Sequence, residues 1–287
     1  MSGQPRAAEW EYLVEGDLAP HLVPRGRSGR AGLAAEVPRL PDGAHEGVAA
    51  SLGPFTPEDL LVIPAAAWPL GGWWRRCLYS PLCVAVIGEQ AAGLWVRDLP
   101  LPGVRARLAL GDVALVEHRR AGTWHALTVI ARTGTLVIRY AEDERSRVDA
   151  WTRRLRLRAA SLRAPLPPAY PCGKAGRLDA LLLTPDDGVV AVGHHGEGLR
   201  RCCLLAVTPR ELIIEQNWRD WRRPWRTTSQ TLYLPRQSVC SAIVRGKTLR
   251  LESAGTTVRV RLASRRTAST ASAWLTSLLN NRKSHAA

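Results

Sequence analysis

One ten-residue segment, Asn217–Arg226, carries the side chains best suited to bind an anionic surface, namely three tryptophans and four arginines. Indole rings favour the interface between membrane and water, and guanidinium groups bind phosphate headgroups. Because Pro224 excludes a regular central strand, the segment is predicted to form a projecting loop. Its candidate contact residues are Trp218, Arg219, Trp221, Arg222, Arg223, Trp225 and Arg226.

A second contact is needed, because the net charge of +3 in this segment yields only about 3 kcal/mol of gross attraction to an anionic surface. The segment Trp73, Trp74, Arg75 and Arg76 again places indole beside guanidinium, and two linked weak contacts bind more tightly than one. Three interpretations stay open for both segments: a membrane surface, a protein-partner interface, and internal packing with cation–π contacts. Single-stranded nucleic acid is a fourth, since bases stack on tryptophan and phosphates bind arginine.

The sequence contains no constellation suited to catalysis. His194 and His195 have only Glu197 at ligand spacing, so we predict that they lie in a surface loop. Cys202 and Cys203 open an apolar run and are predicted to belong to a buried strand. The six cysteines form no CxxC pair, so neither a zinc ribbon nor a disulfide framework is expected. We predict a protein that is not an enzyme and that has neither a metal nor a cofactor.

The composition is that of a globular protein with an uneven charge distribution. The chain has 287 residues, a length typical of about two domains, and 46% of them are hydrophobic. Residues 1–150 hold 16 basic and 17 acidic side chains, whereas residues 151–287 hold 24 and 8. A positive field confined to one half of the chain favours a polyanionic surface as partner.

The protein is predicted to be cytoplasmic, with peripheral binding to the inner membrane face. The longest run without charge, 60–74, is broken by Pro64 and Pro69 and is shorter than the roughly 18–20 apolar residues of a membrane span. A secretory signal is not expected, because four acidic residues fall within the first 17 positions.

The same unit occurs twice along the chain, at matched positions that stay between 120 and 126 residues apart. The matched pairs are Val84 with Leu204, Val113 with Val239, Leu127 with Leu249, and Trp151 with Trp274. Between the units, 164–171 is rich in proline and predicts an extended connector. We predict a mostly disordered tail at 1–52, domains at 53–160 and 179–283, and a linker at 161–178.

Each unit is predicted to contain antiparallel hairpins. Strand-like runs pair within 82–96 in the first unit and within 203–214 in the second. Apolar and polar residues alternate around Thr133-Gly134 and Ala254-Gly255, which is typical of half-buried strands joined by a tight turn.

Each unit is predicted to end in an amphipathic helix. The first follows the acidic residues 142–144, which suit the positive end of a helix dipole. Apolar residues three and four positions apart share one face of each helix. These residues are Val148, Trp151 and Leu155 in the first helix and Ala271, Trp274 and Leu278 in the second.

Antiparallel strands followed by a helix with a central tryptophan resemble a pleckstrin-homology-like (PH/GRAM-type) domain, and more closely its bacterial relatives. The resemblance covers about 57–158 and 183–282 and rests on strand order, the glycine turns, the run Leu204–Ile214 and the two helix tryptophans. It implies an α+β fold of two tandem PH-like domains, each a bent antiparallel β-sandwich or barrel capped by a C-terminal amphipathic helix. It also implies that Trp151 and Trp274 pack against the cores in a structural role.

Domains of this kind serve as lipid-binding modules, as peptide-binding modules or as spacers. The first hairpin turn, 88–92, has no basic residue and the equivalent Thr208–Arg210 has one, so specific phosphoinositide recognition is not expected. We predict a non-enzymatic adaptor that joins a protein partner to an anionic membrane surface. The alternatives are a structural subunit or protein-interaction module of a larger assembly, and a nucleic-acid-binding protein.

Overall fold

Strands predominate in the part of the chain that the computed structural model describes. Within it, the chain forms seventeen β-strands and one α-helix. The described residues are 22–24, 59–63, 66–69, 76–80, 82–97, 104–121, 124–163, 191–195, 201–219, 227–261, 265, 269, 272–273 and 275–276.

The secondary-structure elements follow one another along the chain with short connections inside each repeat. The strands before the helix are β1 (Leu22–Pro24), β2 (Leu60–Ile63), β3 (Ala66–Pro69), β4 (Arg76–Ser80), β5 (Leu82–Ile87), β6 (Ala91–Arg97), β7 (Val104–Ala109), β8 (Val113–Ala121), β9 (Trp124–Ala131) and β10 (Gly134–Ala141). Helix α1 spans Arg145–Ser161. The strands after it are β11 (Ala191–His195), β12 (Arg201–Val207), β13 (Glu211–Arg219), β14 (Thr227–Pro235), β15 (Val239–Arg245), β16 (Thr248–Ser253) and β17 (Thr256–Arg261).

The described strands form four antiparallel sheets. The largest, which we call the central sheet, has seven strands in the order β10-β9-β8-β14-β13-β12-β11. A four-stranded sheet has the order β2-β5-β6-β7, and two three-stranded sheets have the orders β15-β16-β17 and β1-β4-β3.

The central sheet is continuous across the two sequence repeats because β8 of the first repeat pairs with β14 of the second. The register runs from Val116 opposite Tyr233 to Ala121 opposite Thr228. Every residue of β8 from 113 to 118 is buried, which agrees with the unbroken apolar run at its start. We call the β8–β14 junction the seam.

Two hydrophobic cores lie on opposite faces of the central sheet. The first is shared with the four-stranded sheet and α1, and it contains Val116 and Tyr233. The second is shared with β15–β17, and it contains Leu115 and Leu232. Because successive residues of a strand point to opposite faces, both seam strands contribute to both cores. Burial on both sides therefore stabilises the junction between the repeats.

Helix α1 covers the first core, and its sequence explains its position. A 3₁₀ turn of three acidic residues, Glu142–Glu144, precedes it at the end where the dipole favours negative charge. Val148, Trp151 and Leu155 are buried, with Trp151 only 3% exposed. The indole Nε1 of Trp151 donates a hydrogen bond of 2.9 Å to the carbonyl oxygen of Asp59. This bond ties the helix to the start of β2.

The predicted hairpins are confirmed. The pairs β5–β6, β12–β13, β9–β10 and β16–β17 are all antiparallel and in register. In the last of them, Ala254 and Gly255 have φ angles of 44° and 85° between the paired residues Ser253 and Thr256. A two-residue turn with positive φ at both positions has the twist that adjacent strands require, and glycine adopts it without a steric cost.

The predicted fold class is wrong. We expected an α+β protein of two tandem PH-like domains, each a separate sandwich with a C-terminal helix. Instead strands predominate, one sheet takes strands from both repeats, and α1 is the single α-helix defined in the described residues. The physical reason is that an open strand edge has unpaired backbone groups, which β8 and β14 satisfy by pairing with each other.

The second predicted helix, including Trp274, lies largely outside the described residues. Of this region the structure describes 265, 269, 272–273 and 275–276, whose backbone is helical, but it defines no continuous helix. Leu275 is buried in the second core. The domain boundaries at 53–160 and 179–283 stay a prediction.

Candidate functional site

The predicted tryptophan and arginine segment begins where a hairpin of the central sheet ends. Strands β13 and β14 pair from Glu211 opposite Pro235 to Arg219 opposite Thr227. Trp218 and Arg219 are therefore the last two residues of β13. The other candidates of this segment lie outside the described residues; they are Trp221, Arg222, Arg223, Trp225 and Arg226. The segment is thus joined to one end of the central sheet.

The strand register places residues of the first repeat at the same end. Trp124 of β9 pairs with Ala121 of β8, and Ala121 pairs with Thr228 of β14. Thr228 pairs with Trp218 of β13, which pairs in turn with Arg201 of β12. We call a set of residues that pair with one another across neighbouring strands a row. Two tryptophans from different repeats therefore lie in one row of the central sheet.

Arginines gather in the rows next to these tryptophans. Counted inward from the pair of Arg219 with Thr227, the last four rows of the described strands hold five arginines and no carboxylate. The five are Arg119, Arg120, Arg139, Arg201 and Arg219. We call this part of the molecule the basic end, and we include Trp124 and Trp218 in it. The sequence could not reveal it, because its residues come from strands far apart in the chain.

Two carboxylates that follow β10, Glu142 and Glu144, are engaged by their own neighbours. Glu142, which follows β10, accepts a hydrogen bond of 3.1 Å from Nη1 of Arg145, and this bond lowers the pKa of Glu142. Its other carboxylate oxygen lies 2.5 Å from Nε2 of His125. Glu144 accepts a bond of 3.3 Å from Arg147. Glu142 also lies close enough to Arg120 for the charge of this arginine to lower its pKa further.

Two neutral histidines support the basic end from inside. The hydroxyl of Tyr140 is hydrogen-bonded to Nδ1 of His118 at 3.2 Å, and the ring of His125 stacks on Tyr140 at a centroid distance of 5.3 Å. Burial, followed by the charge of Arg156, lowers the pKa of His118 to about 3. Asp149 lies 3.5 Å from His118, but it is half exposed, so desolvation of the imidazole dominates. The ring of His118 is therefore neutral at neutral pH and acts as a packing group.

The seam contains a buried carboxyl group. Glu117 of β8 is 2% exposed, and its Oε1 accepts a hydrogen bond of 2.5 Å from Nε2 of Gln230 on β14. Burial raises the pKa of Glu117 to about 7, although Gln230 and Arg119 both act to lower it. Within the described part of the chain, Oε2 of Glu117 has no hydrogen-bond partner. This group therefore takes up a proton near neutral pH.

At the opposite end of the central sheet, a buried ion pair joins the two repeats. Nε and Nη2 of Arg156 on α1 donate to Oε1 and Oε2 of Glu211 on β13, at 3.2 Å and 2.6 Å. The Arg156 guanidinium also lies 3.5 Å from the ring centroid of Tyr233 on β14. Sequence reasoning missed this pair. The signal was an arginine next to Leu155 on the apolar face of a helix, a position that requires a buried partner.

The second predicted contact segment belongs to a different sheet. Strands β3 and β4 pair up to Pro69 opposite Cys77, and Arg76 is the first residue of β4. Trp73, Trp74 and Arg75 lie outside the described residues. Within the described strands, no pairing connects this sheet to the central sheet. That this segment supplies a second contact with the same surface stays a prediction.

The predicted surface loop at His194 and His195 is wrong, because both residues lie on β11, where His195 pairs with Cys203. β11 is an outer strand of the central sheet. Cys202 and Cys203 lie on β12, in the predicted strand. Among the described residues, no three His, Cys, Asp or Glu side chains come together in a way that could hold a metal ion.

No protein-family model matches this sequence, and no curated protein matches it either. Within the described ranges, no helix has both the length and the apolar character required to cross a membrane. The strand register and the side-chain contacts are therefore the basis for a functional proposal.

Proposed function

We propose that this protein is a non-enzymatic adaptor that binds an anionic membrane surface through the basic end of the central sheet. The observation that supports this function is the convergence of five arginines and two tryptophans from both repeats in four rows that hold no carboxylate. Guanidinium groups bind headgroup phosphates, and indole rings insert at the interface.

The number of arginines matters for the strength of binding. At roughly 1 kcal/mol for each basic residue near an anionic surface, the five row arginines contribute about 5 kcal/mol of gross attraction. The adjoining Trp221–Arg226 segment adds three arginines and two tryptophans on a chain that leaves the same end of the sheet. The row arginines and the Trp221–Arg226 segment together attract an anionic surface more strongly than the segment alone. In this proposal, arginines of the first repeat therefore take part in membrane binding.

The experiment is co-sedimentation of nuclease-treated protein with phosphatidylcholine vesicles, with and without phosphatidylserine. The test variant is Trp221→Ala combined with Arg222→Ala and Arg223→Ala. The matched control removes two charges elsewhere, at the exposed residues Arg158 and Arg259, each changed to Ala.

We expect wild type and the control to bind only the vesicles that contain phosphatidylserine, and we expect the test variant to lose most of this binding. If wild type does not sediment with anionic vesicles, the membrane proposal is wrong. Tighter binding of wild type to a single-stranded oligonucleotide than to vesicles would assign the basic end to nucleic acid instead.

A further inference from the structure

The sheet formed by β15–β17 has one face on the second core and one face in solvent. Side chains alternate between the two faces along each strand, as in any half-buried antiparallel sheet. Leu249, Leu251 and Val260 are buried in the second core. The strand register places the intervening residues on the other side, which we call the outer face. They include Ile243, Arg245, Arg250, Glu252, Thr257 and Arg259.

Most of the charged side chains at the outer face are cationic and have no ion pair. Arg245 and Arg259 are exposed, as is Lys247 in the turn that joins β15 to β16. Within the described part of the chain, none of these three cations binds a carboxylate. The carboxylate of Glu252 lies 3.1 Å from Nη2 of Arg250. Four cations are therefore balanced by one carboxylate among the described residues of this face and its turn.

Two of these cations lie directly opposite each other on neighbouring strands. Arg250 of β16 pairs with Arg259 of β17. Like charges in this arrangement destabilise a sheet. A face that served only to keep the protein in solution would gain more from charges of mixed sign. An anionic partner bound over this pair would relieve the repulsion.

An exposed apolar side chain lies beside these cations. Ile243 of β15 pairs with Arg250 and is 47% exposed, one of two large apolar side chains exposed in the described residues. An apolar centre with a charged rim is typical of a protein-binding surface. Strands β15–β17 contain no aromatic residue, so this face has no ring for a nucleic-acid base and no indole for a membrane interface. It therefore favours a polypeptide.

The size of the outer face selects a short segment over a folded domain. Its three strands have six or seven residues each. At about 4.8 Å between strands and about 3.4 Å per residue, they present roughly 300 Å². A stable interface between folded proteins buries about 800 Å² on each partner. A second copy of this chain would therefore be held only weakly through this face.

We propose that the outer face binds a short acidic segment of a partner protein. Carboxylates of the segment bind Arg245, Arg250 and Arg259, and an apolar residue between them packs on Ile243. The planar fork of a guanidinium matches the two oxygens of a carboxylate, which makes arginine well suited to this contact. The biological role of the contact rests on the proposed adaptor function, in which the segment belongs to the protein brought to the membrane.

The test is a fluorescence-anisotropy titration of the full chain, without vesicles, with the labelled peptide Asp-Asp-Glu-Leu-Glu-Asp-Asp. One comparison peptide has Ser in place of Leu, and another has Asn and Gln in place of the acidic residues. We expect saturable binding of the first peptide, about fivefold weaker binding of the serine peptide and at least about tenfold weaker binding of the amide peptide. Equal binding of the amide peptide would overturn the proposal, as would the absence of saturable binding by the first.

Variants locate the contact. Arg245→Gln combined with Arg259→Gln should weaken binding of the acidic peptide at least about tenfold. The matched control, Arg132→Gln combined with Arg158→Gln, removes the same charge from exposed positions elsewhere and should bind like wild type. Ile243→Ser should weaken binding of the leucine peptide and leave that of the serine peptide unchanged, because the two apolar groups are coupled. Equal losses in the test and control variants would show general charge attraction and overturn the proposal.

Vesicle binding separates the outer face from the basic end. The variant with Arg245→Gln and Arg259→Gln should sediment with phosphatidylserine vesicles like wild type. If this variant loses vesicle binding and wild type does not bind the peptide, the outer face is a membrane contact and the present proposal is wrong. Binding of a single-stranded oligonucleotide at this face in place of the peptide would also overturn it. If wild type binds the peptide and not the vesicles, only the membrane proposal fails.

Discussion

Arginine residues at the two ends of the central sheet are in contrasting environments. At the basic end, Arg119 and Arg120 are partly exposed and share their rows with no carboxylate. At the opposite end, Arg156 is 5% exposed and donates to both carboxylate oxygens of Glu211. A buried charge must be paired, whereas an exposed charge can stay free to bind a partner. The comparison separates an arginine that holds the fold from arginines that we propose bind the anionic surface.

The largest effect on stability is expected from breaking the buried ion pair between Arg156 and Glu211. Arg156→Ala leaves Glu211 as an uncompensated buried charge and should lower the free energy of unfolding by about 3–5 kcal/mol, measured by chemical denaturation. Replacing both residues with Met should recover most of this loss, because no buried charge then remains. A single variant as stable as wild type would show that the pair does not hold the repeats together.

The next largest effect is the pH dependence of the free energy of unfolding. The pKa of Glu117 is raised to about 7, so its contribution to stability is lost as the pH rises from 4.5 through 7. The pKa of His118 is lowered to about 3, so its contribution is lost as the pH falls from 6.5 through 3. The two slopes oppose each other between pH 4.5 and 6.5. Above this window, only the Glu117 contribution still changes.

Glu117→Gln separates these contributions, because the amide keeps the shape of the side chain and does not titrate. Between pH 4.5 and 6.5 the free energy of unfolding of this variant should rise by about 2–3 kcal/mol, at up to 1.4 kcal/mol per pH unit. The stability of wild type should rise by less over the same window, because the loss of the Glu117 contribution opposes the gain. Denaturation curves at several pH values provide the measurement, and a flat profile for the variant would contradict the assignment of His118.

The row arginines test whether the sheet itself, and not only the adjoining segment, binds an anionic surface. Arg120→Gln combined with Arg219→Gln should weaken vesicle binding by about 2 kcal/mol, roughly 30-fold. The free energy of unfolding should change by less than about 0.5 kcal/mol, as is usual for surface residues. The difference from wild type should shrink at high salt. Unchanged vesicle binding would confine recognition to Trp221–Arg226.

The smallest effect is expected at the helix anchor. Trp151→Phe removes the hydrogen bond to the carbonyl oxygen of Asp59 and should cost about 1 kcal/mol of stability. Vesicle binding should stay at the wild-type level, because α1 contributes to the core and not to the basic end. Thermal denaturation and co-sedimentation of the same preparation check both statements. A loss of vesicle binding without a loss of stability would contradict this structural role.

Local features of this protein were predictable from the sequence. The turn at Ala254-Gly255 and the burial of Val148, Trp151 and Leu155 follow from patterns within a few residues. Strand alternation also predicted which runs pair as neighbours. The surface loop at His194 and His195 was wrong, because a short polar run beside glycines resembles a loop although its backbone pairs with β12.

The sequence by itself determined the hairpins, the position of α1 and the excess of positive charge in the second half, because these depend on local periodicity and composition. Only the tertiary structure decided that β8 pairs with β14, and this pairing creates the basic end. The physical reason is that the pairing of distant strand edges depends on which edges the rest of the fold leaves uncovered. The shared row of Trp218 and Trp124 and the contact of Arg156 with Tyr233 are therefore properties of the assembled sheet.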